Sequence, residues 1–221
     1  MENQDPRFVR VKTWKDDVRR LYAKFSHMYD AWSFITESKA TNIALQLANI
    51  QDGESMLEVA VGTGIIFKHI VDLNPNGTNE GIDLSPEMLA RSKKRLNKRF
   101  FNFSLRIGDA YSLSYPDGTF DLIVNNYMFD LLPEEDFTRI LLEFRYVLKP
   151  KGRMVTANMT PGRNWYSRIW DWLVKNIPGS LGGCLPICLE EDIQQSGFRN
   201  VHIEYISQLN FPSLVICAEK T

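Results

Sequence analysis

The segment Leu57-Glu58-Val59-Ala60-Val61-Gly62-Thr63-Gly64-Ile65 places two glycines where an apolar run gives way to the amphipathic stretch Phe67-Lys68-His69-Ile70-Val71. Glycines at a strand-to-helix turn let the backbone approach a ligand closely, because no Cβ intervenes and positive φ is open to them. Taken alone, the pattern is equally that of a tight turn that binds nothing. An acid follows, since Asn79-Glu80-Gly81-Ile82-Asp83 ends 19 residues after Gly64. At that distance a carboxylate at the tip of a second strand accepts both hydroxyls of an adenosine ribose. Its competing role, capping the next helix, is available to Ser85 in Ser85-Pro86-Glu87-Met88, which has proline at the first helical position. A third acid, Asp109 of Gly108-Asp109-Ala110, can accept from an adenine amino group or stand as an ordinary loop residue. Asn125 and Asn126 close a fourth apolar run, Leu122-Ile123-Val124. Polar stations at the carboxyl ends of successive parallel strands mark the crevice where open α/β sheets bind ligands.

The elements that must hold these residues alternate. Strands are expected at Met56–Val61, Asn79–Asp83, Ser104–Gly108, Leu122–Asn126 and Arg153–Asn158, with helical stretches between them, clearest at Pro86–Phe100 and Glu134–Leu148. Such alternation predicts a parallel sheet covered on both faces, an α/β, doubly wound fold. Residues 14–50 precede any strand and read as two helices, from Val18, Leu21, Tyr22 and Phe25 and then Ile43, Leu45, Leu47 and Ile50. After Thr160 the chain is aromatic and irregular up to Cys188, then gives a short helix at Leu189–Ser196 and two β-rich runs, Val201–Ile206 and Ser213–Glu219. Only Ser207 to Pro212 joins those runs, too little for a helical crossover, so they should pair antiparallel.

The chain has 221 residues, 44% of them hydrophobic and 24% charged, an ordinary globular composition that one domain can bury. One domain over 1–221 is expected: a helical lid at 1–50, a cofactor-binding core at 51–160, a substrate-side insertion at 161–188, and a helix and hairpin at 189–221. A formal net charge of -1 supplies no field for phosphate backbones, so nucleic acid is not expected as a partner. The basic run Arg91–Arg99 has its own apolar side in Met88, Leu89 and Leu96 and reads as a solvated helix face. Met1 to Val11 carries charges and no apolar run, so neither an export signal nor a membrane span is expected there, and the expected compartment is the cytoplasm. Cys184, Cys188 and Cys217 do not suggest a disulfide framework or a metal site.

Five motifs, in order, resemble the class I S-adenosylmethionine-dependent methyltransferases, and among them the ubiquinone and menaquinone biosynthesis group. They are Leu57–Gly64, Gly81–Leu89, Gly108-Asp109-Ala110, Tyr115-Pro116-Asp117-Gly118-Thr119-Phe120-Asp121 and Val147-Leu148-Lys149-Pro150-Lys151-Gly152. The likeness runs from about Tyr29 to Asn158. It implies a Rossmann-like, mostly parallel seven-stranded sheet with an antiparallel C-terminal strand, and S-adenosylmethionine as cofactor with S-adenosylhomocysteine as product. It further implies that the glycine turn, with Glu58, Ala60, Gly62, Thr63 and Gly64, faces the methionine part. Asp83 would hold the ribose, Asp109 meet adenine and Asn125 lie near the methionine moiety, with Leu84, Met88 and Ala110 also among the cofactor-binding residues. Ala60 departs from the family, standing where its first glycine usually is, and its added methyl bears on cofactor affinity.

On the acceptor side, Tyr29-Asp30 looks like the pair that sits over the cofactor in the quinone group, although core packing of the same aromatics is an equal reading. His27 has the chemistry of a general base, but a lone His in an aromatic helix is more often a packed or solvated residue. Trp165, Ile169, Trp172 and Leu173 are expected on one side of a helix that either covers the sheet or walls a pocket for a hydrophobic acceptor. Trp32, Tyr127, Trp165 and Trp170 are the expected acceptor-binding residues, and a transient contact with a membrane surface is an expected partnership. Two rivals stand beside methyl transfer to a small quinone-like or lipid-like acceptor. One is a nicotinamide-dependent oxidoreductase, against which Phe67 occupies the place of the third dinucleotide glycine. The other is a protein that binds S-adenosylmethionine without catalysis.

Overall fold

The computed structural model describes residues 35–96, 102–176 and 184–221. Among the described residues seven strands form one sheet: β1 (Ser55–Val59), β2 (Thr78–Asp83), β3 (Phe103–Ile107), β4 (Phe120–Asn126), β5 (Leu148–Met159), β6 (Phe198–Gln208) and β7 (Phe211–Lys220). Their order is β3-β2-β1-β4-β5-β7-β6. The first five pair in parallel, and β7 runs antiparallel to both β5 and β6. The expected Rossmann-like sheet with an antiparallel C-terminal strand is thus the observed one. The helices are α1 (Ser38–Ala48), α2 (Ile65–Leu73), α3 (Pro86–Leu96), α4 (Phe137–Val147), α5 (Arg168–Asn176) and α6 (Glu190–Gln195).

Side-chain alternation along the central strands builds a core on each face of the sheet. Leu57, Val59, Ile123 and Met154 join one cluster with Phe137, Ile140, Leu141 and Phe144 of α4 and Ile193 of α6. Their strand neighbours Met56, Leu122, Val124 and Val155 join another with Ala40, Ala44 and Ala48 of α1 and Ile70 of α2. Strands buried on both faces need near-continuous apolar runs, and β1 and β4 have them. A third cluster, with Val61, Phe67, Val71, Leu89 and Leu96, packs α2 against α3. Arg153 of β5 fixes the end of α1: its guanidinium donates to the Ala48 carbonyl at 2.6 Å and the Asn49 carbonyl at 3.1 Å while making a two-pronged ion pair with Glu54, at 2.7 and 2.9 Å.

Most strand boundaries shift by one to three residues from expectation, and the largest differences lie at β5 and at the β6–β7 hairpin, whose strands run longer than expected. β5 begins at Leu148 rather than Arg153, since Leu148 pairs with Phe120 before a bulge; Lys151 takes a φ of 64° there, and pairing resumes at Leu122 with Arg153. The β6–β7 hairpin turns on Leu209 and Asn210, with φ of 48° and 63°, the positive pair that matches the twist of the flanking strands.

Candidate functional site

The strand order reverses beside β1: β2 and β3 lie to one side, β4 and β5 to the other. At such a switch point the connections leave in opposite directions and open a crevice at the strands' carboxyl ends. A pocket lies there, lined by Glu37 and Thr41 at the start of α1, Glu58, Ala60, Val61, Gly62 and Thr63 from the glycine turn, Ile65 and Ile66 of α2, and Asn126 and Tyr127 after β4.

The turn is backbone-driven. Ala60, Gly62 and Gly64 all have positive φ, at 61°, 57° and 80°. A Cβ on Gly62 would meet nothing within 4 Å, so that glycine faces open space, whereas one on Gly64 would collide with Ser92 of α3. Gly62 therefore leaves the turn open to close approach from the pocket, and Gly64 packs the turn on its neighbour helix. Arg95, in the basic run expected to be a solvated face, donates through Nε to the Thr63 carbonyl at 2.9 Å and ties the turn to α3.

Ala60 is the one residue of the three that carries a Cβ in the left-handed region, where an L side chain costs roughly 1–2 kcal/mol against glycine. Ala60→Gly is accordingly expected to stabilise the protein by about 1 kcal/mol, a rise of about 2–4 °C in Tm for a chain of this size, and to bind the cofactor at least as tightly as the parent. Thermal unfolding and titration calorimetry read both. A clear loss of affinity would make the alanine methyl a fitted part of the pocket.

Asp83 sits beneath the turn at the end of β2. Its Oδ2 accepts the Gly62 N–H at 2.8 Å and its Oδ1 the Ser85 N–H at 2.8 Å. Ser85 caps α3 as expected, accepting the Met88 N–H at 3.2 Å. Asp83 is thus not idle in the protein: it couples the two turns and keeps its remaining lone pairs for further donors. Burial pushes its carboxyl above the ordinary range, against the lowering effect of the Ser85, Gly62 and Leu84 backbone.

Glu58 is fully buried, and its Oε2 has no hydrogen-bond partner. Burial, then the neighbouring Asp83 charge, holds its carboxyl well above the usual range. An acid kept in this condition is a site waiting for a donor or a cation. Both side-chain atoms of Asn126 are likewise buried without partners in the pocket wall.

The neighbouring Asn125 is different: its Nδ2 donates to the Val59 carbonyl at 2.9 Å, its Oδ1 accepts from Thr156 Oγ1 at 3.4 Å, and it is absent from the pocket wall. Asn125 thus joins β1, β4 and β5, while Asn126, expected beside it at the same station, stands in the pocket wall. Asp109 accepts the Tyr111 N–H at 3.1 Å in a turn after β3, and Ala110 is buried behind it. Leu84 is exposed after Asp83, and Met88 is buried.

On the acceptor side, Tyr127 lines the pocket with a φ of 52°, its hydroxyl sharing a hydrogen bond with Ser213 Oγ at 2.8 Å. Trp170 packs edge-on against Phe211, ring centroids 5.5 Å apart, and Phe211 lies 6.5 Å from the Tyr127 ring. The helix faces differ from expectation: Leu173 packs inward with Trp170, Ile169 and Trp172 stand outward, and Trp165 lies exposed in the turn before the helix. Trp165 is among the most exposed residues and does not line the pocket. His27, Tyr29 and Trp32 lie outside the described residues. Sequence reasoning missed Glu37, Thr41, Ile65 and Ile66 in the wall, and nothing in their spacing marks them.

Asp130, just beyond Tyr127, is a further buried acid. Its Oδ2 accepts the Met159 N–H at 3.1 Å, its backbone carbonyl accepts the Leu185 N–H at 2.7 Å, and its Oδ1 has no partner. Burial pushes its carboxyl up to about 8, with the Glu37 charge adding and the Met159 N–H opposing.

A glycine turn and a β2 acid at the switch point of a sheet in this order define a nucleoside-binding doubly wound protein. Residues 56–152 match the family model described as a methyltransferase domain. The chain is 32% identical over 149 residues to the phosphatidylethanolamine N-methyltransferase of Cereibacter sphaeroides, covering 65% of this chain and 68% of that one. It is 31% identical over 153 residues to the demethylmenaquinone methyltransferase of Halalkalibacterium halodurans, covering 66% of this chain but only 61% of that relative's length. Among solved structures, the N-methyltransferase NodS of Bradyrhizobium japonicum bound to S-adenosylhomocysteine superposes with a TM-score of 0.66 at 17% identity, covering 83% of this chain and 87% of the other. This chain belongs to the class I S-adenosylmethionine-dependent methyltransferases, as its motifs led one to expect.

Proposed function

We propose that this chain transfers a methyl group from S-adenosylmethionine to a small acceptor of hydrophobic or aromatic character, quinone-like or lipid-like. The observation that carries the reading is the buried, unpartnered Glu58 Oε2 beside a glycine turn, in a pocket whose described wall has two acids, Glu37 and Glu58, and no base. Such a wall suits a cation. S-adenosylmethionine is one, and when bound it supplies a methyl made electrophilic by the sulfonium it sits on.

The residues divide the remaining work. Glu58 receives the α-ammonium group, Gly62 lets the backbone close on the aminoacyl part, Asp83 accepts the ribose hydroxyls, and Asp109 meets adenine. Asn126 and Tyr127 face the acceptor end, where the Tyr127 ring is backed by the apolar rings of Phe211 and Trp170. Transfer is an in-line displacement: the acceptor's lone pair forms the new bond to carbon as the carbon–sulfur bond breaks and leaves a thioether. Positioning and exclusion of water carry most of such a step. The apolar wall, and relatives named for demethylmenaquinone and phosphatidylethanolamine, support a lipid-soluble acceptor.

Trp170→Ala is expected to raise the acceptor KM several-fold while leaving cofactor affinity within about threefold. Turnover on a hydrophobic and a polar acceptor of equal nucleophilicity tests it; preference for the polar one would sink the proposed acceptor class.

A further inference from the structure

The buried acids at the crevice fall into two groups. Glu58 belongs with Asp83 beneath the glycine turn: after burial, the Asp83 charge is what raises its carboxyl. Glu37, at the start of α1, belongs instead with residues beyond the end of β4. After burial, its charge is the next influence raising the Tyr127 hydroxyl, and it also raises the Asp130 carboxyl. Strand register keeps the groups apart. Glu58 pairs with Val124, and Asn126 shares the Val124 side of β4 two residues nearer its carboxyl end, roughly 7 Å further along. Glu37 and Asn126 both stand in the pocket wall, only 3% and 8% exposed. The amide oxygen and nitrogen of Asn126 are both buried without a hydrogen-bond partner, a condition that costs stability until a ligand relieves it. Asp130 is fully buried outside the wall and keeps its proton up to about 8, so near neutrality this second group meets a ligand with at most one negative charge.

From this arrangement we infer that the methyl acceptor is an amphipathic amine, its nitrogen held through N–H groups by the Glu37 carboxylate and the Asn126 amide oxygen and its apolar part lying along Tyr127. The inference rests on the reading of the crevice as a methyl-transfer site and narrows the acceptor class. A buried carboxylate selects a cation over a neutral alcohol or quinol, and the empty amide oxygen calls for a second N–H, which a primary ammonium has. The Asn126 amide nitrogen is left to donate to an oxygen of the same ligand or of the cofactor carboxylate. Tyr127, backed by Phe211 and Trp170, gives the apolar part its contact. In the reaction the ammonium R–NH3+ gives one proton to the Glu37 carboxylate, which passes it to water. The freed lone pair attacks the methyl carbon as the carbon–sulfur bond breaks. The products are R–NH2+–CH3, S-adenosylhomocysteine and the released proton. Because the two remaining N–H groups are held by the wall, the lone pair points away from it.

The test is calorimetric titration of the full chain, loaded with S-adenosylhomocysteine, with n-octylamine, n-octanol and octyltrimethylammonium near neutral pH. Octylamine should bind about tenfold tighter than octanol, and Glu37→Gln should lose about tenfold of the octylamine affinity, the scale of a hydrogen bond to a charged group. Asn126→Ala should weaken octylamine and leave octyltrimethylammonium, which has the charge but no N–H, unchanged. Circular dichroism verifies that both variants fold, and their S-adenosylhomocysteine affinity should stay within about threefold of the parent. Equal affinity for octylamine and octanol overturns the inference. So does a loss of S-adenosylhomocysteine affinity in both variants that matches their loss of octylamine, which would give Glu37 and Asn126 to the cofactor. Methyl-labelled turnover separates this inference from the proposed function. Label on a quinol or a thiol but never on octylamine counts against the amine alone. Octylamine binding that depends on Glu37, with no transfer to any acceptor, supports the amine site and counts against the proposed activity alone.

Discussion

Asp83→Ala should weaken S-adenosylmethionine binding by about 1.5–3 kcal/mol, the range for hydrogen bonds to a charged group, or roughly 10- to 150-fold. The carboxylate holds the Gly62 and Ser85 N–H groups and thereby shapes the turn from below, while its free lone pairs are the ones a ribose diol would use. Alanine removes both functions. Asparagine keeps one acceptor oxygen and should fall between alanine and the parent. Because burial raises the Asp83 carboxyl, the parent should also lose affinity as pH falls through that raised value and the acid protonates, a dependence Asp83→Asn should largely lack. Calorimetry on variants whose circular dichroism matches the parent separates ligand binding from loss of fold. Unchanged affinity in a folded Asp83→Ala protein would remove the residue from the site.

The second large effect concerns Asp130 and the pH dependence of stability. Its folded-state value of about 8 lies above the ordinary 3.8, so the folded protein keeps a proton there that the unfolded chain has released. The contribution is fully present below the unfolded value, declines as pH rises toward about 8, and is gone above it. The slope is at most about 1.4 kcal/mol per pH unit. Asp130→Asn imitates the protonated acid, retains an oxygen for the Met159 N–H, and should lose much of that slope. Denaturant unfolding at pH 5 and pH 9 is expected to show the variant gaining on the parent at the higher pH. Parallel stability profiles would mean that Asp130 is ionised in the folded protein. Asp130→Ala should be less stable than Asp130→Asn at every pH, since it strands the Met159 N–H at a cost of about 1–3 kcal/mol.

The fold was readable because its signals are local and repeated. Apolar runs on β1 and β4, the Ser85-Pro86 start of α3 and the short β6–β7 link each imply their structure through propensity, capping or chain length. The start of β5 was misjudged because Lys149-Pro150-Lys151-Gly152 has turn composition, yet Leu148 before it still pairs with Phe120 across a bulge. At the candidate site, the glycine turn was legible from spacing, as was the place of Asp83 at the end of β2, where it accepts the Gly62 N–H. Asn125 and Asn126 were expected together at the end of β4, and spacing alone could not divide their work, because adjacent strand residues point to opposite faces and one ties strands while the other stands in the pocket wall. Glu37 and Thr41 reach the pocket because α1 is held at both ends by distant residues, Gln208 at its start and Arg153 at its end, long-range contacts with no local trace. The inward and outward faces of α5 depend on Phe211, some forty residues away, so Leu173 could not be sorted from Trp172 by periodicity.

The central claim is that the crevice beside β1 holds S-adenosylmethionine and passes on its methyl. Titration of the purified chain with S-adenosylmethionine, S-adenosylhomocysteine and NAD, followed by methyl-labelled turnover on a quinol, a thiol and an amine, addresses it directly. The account predicts binding of both sulfur ligands, no binding of NAD, and label appearing on an apolar acceptor with one S-adenosylhomocysteine formed per methyl transferred. Binding of NAD in place of S-adenosylmethionine would contradict the cofactor, and S-adenosylmethionine held intact before every acceptor would contradict the transfer.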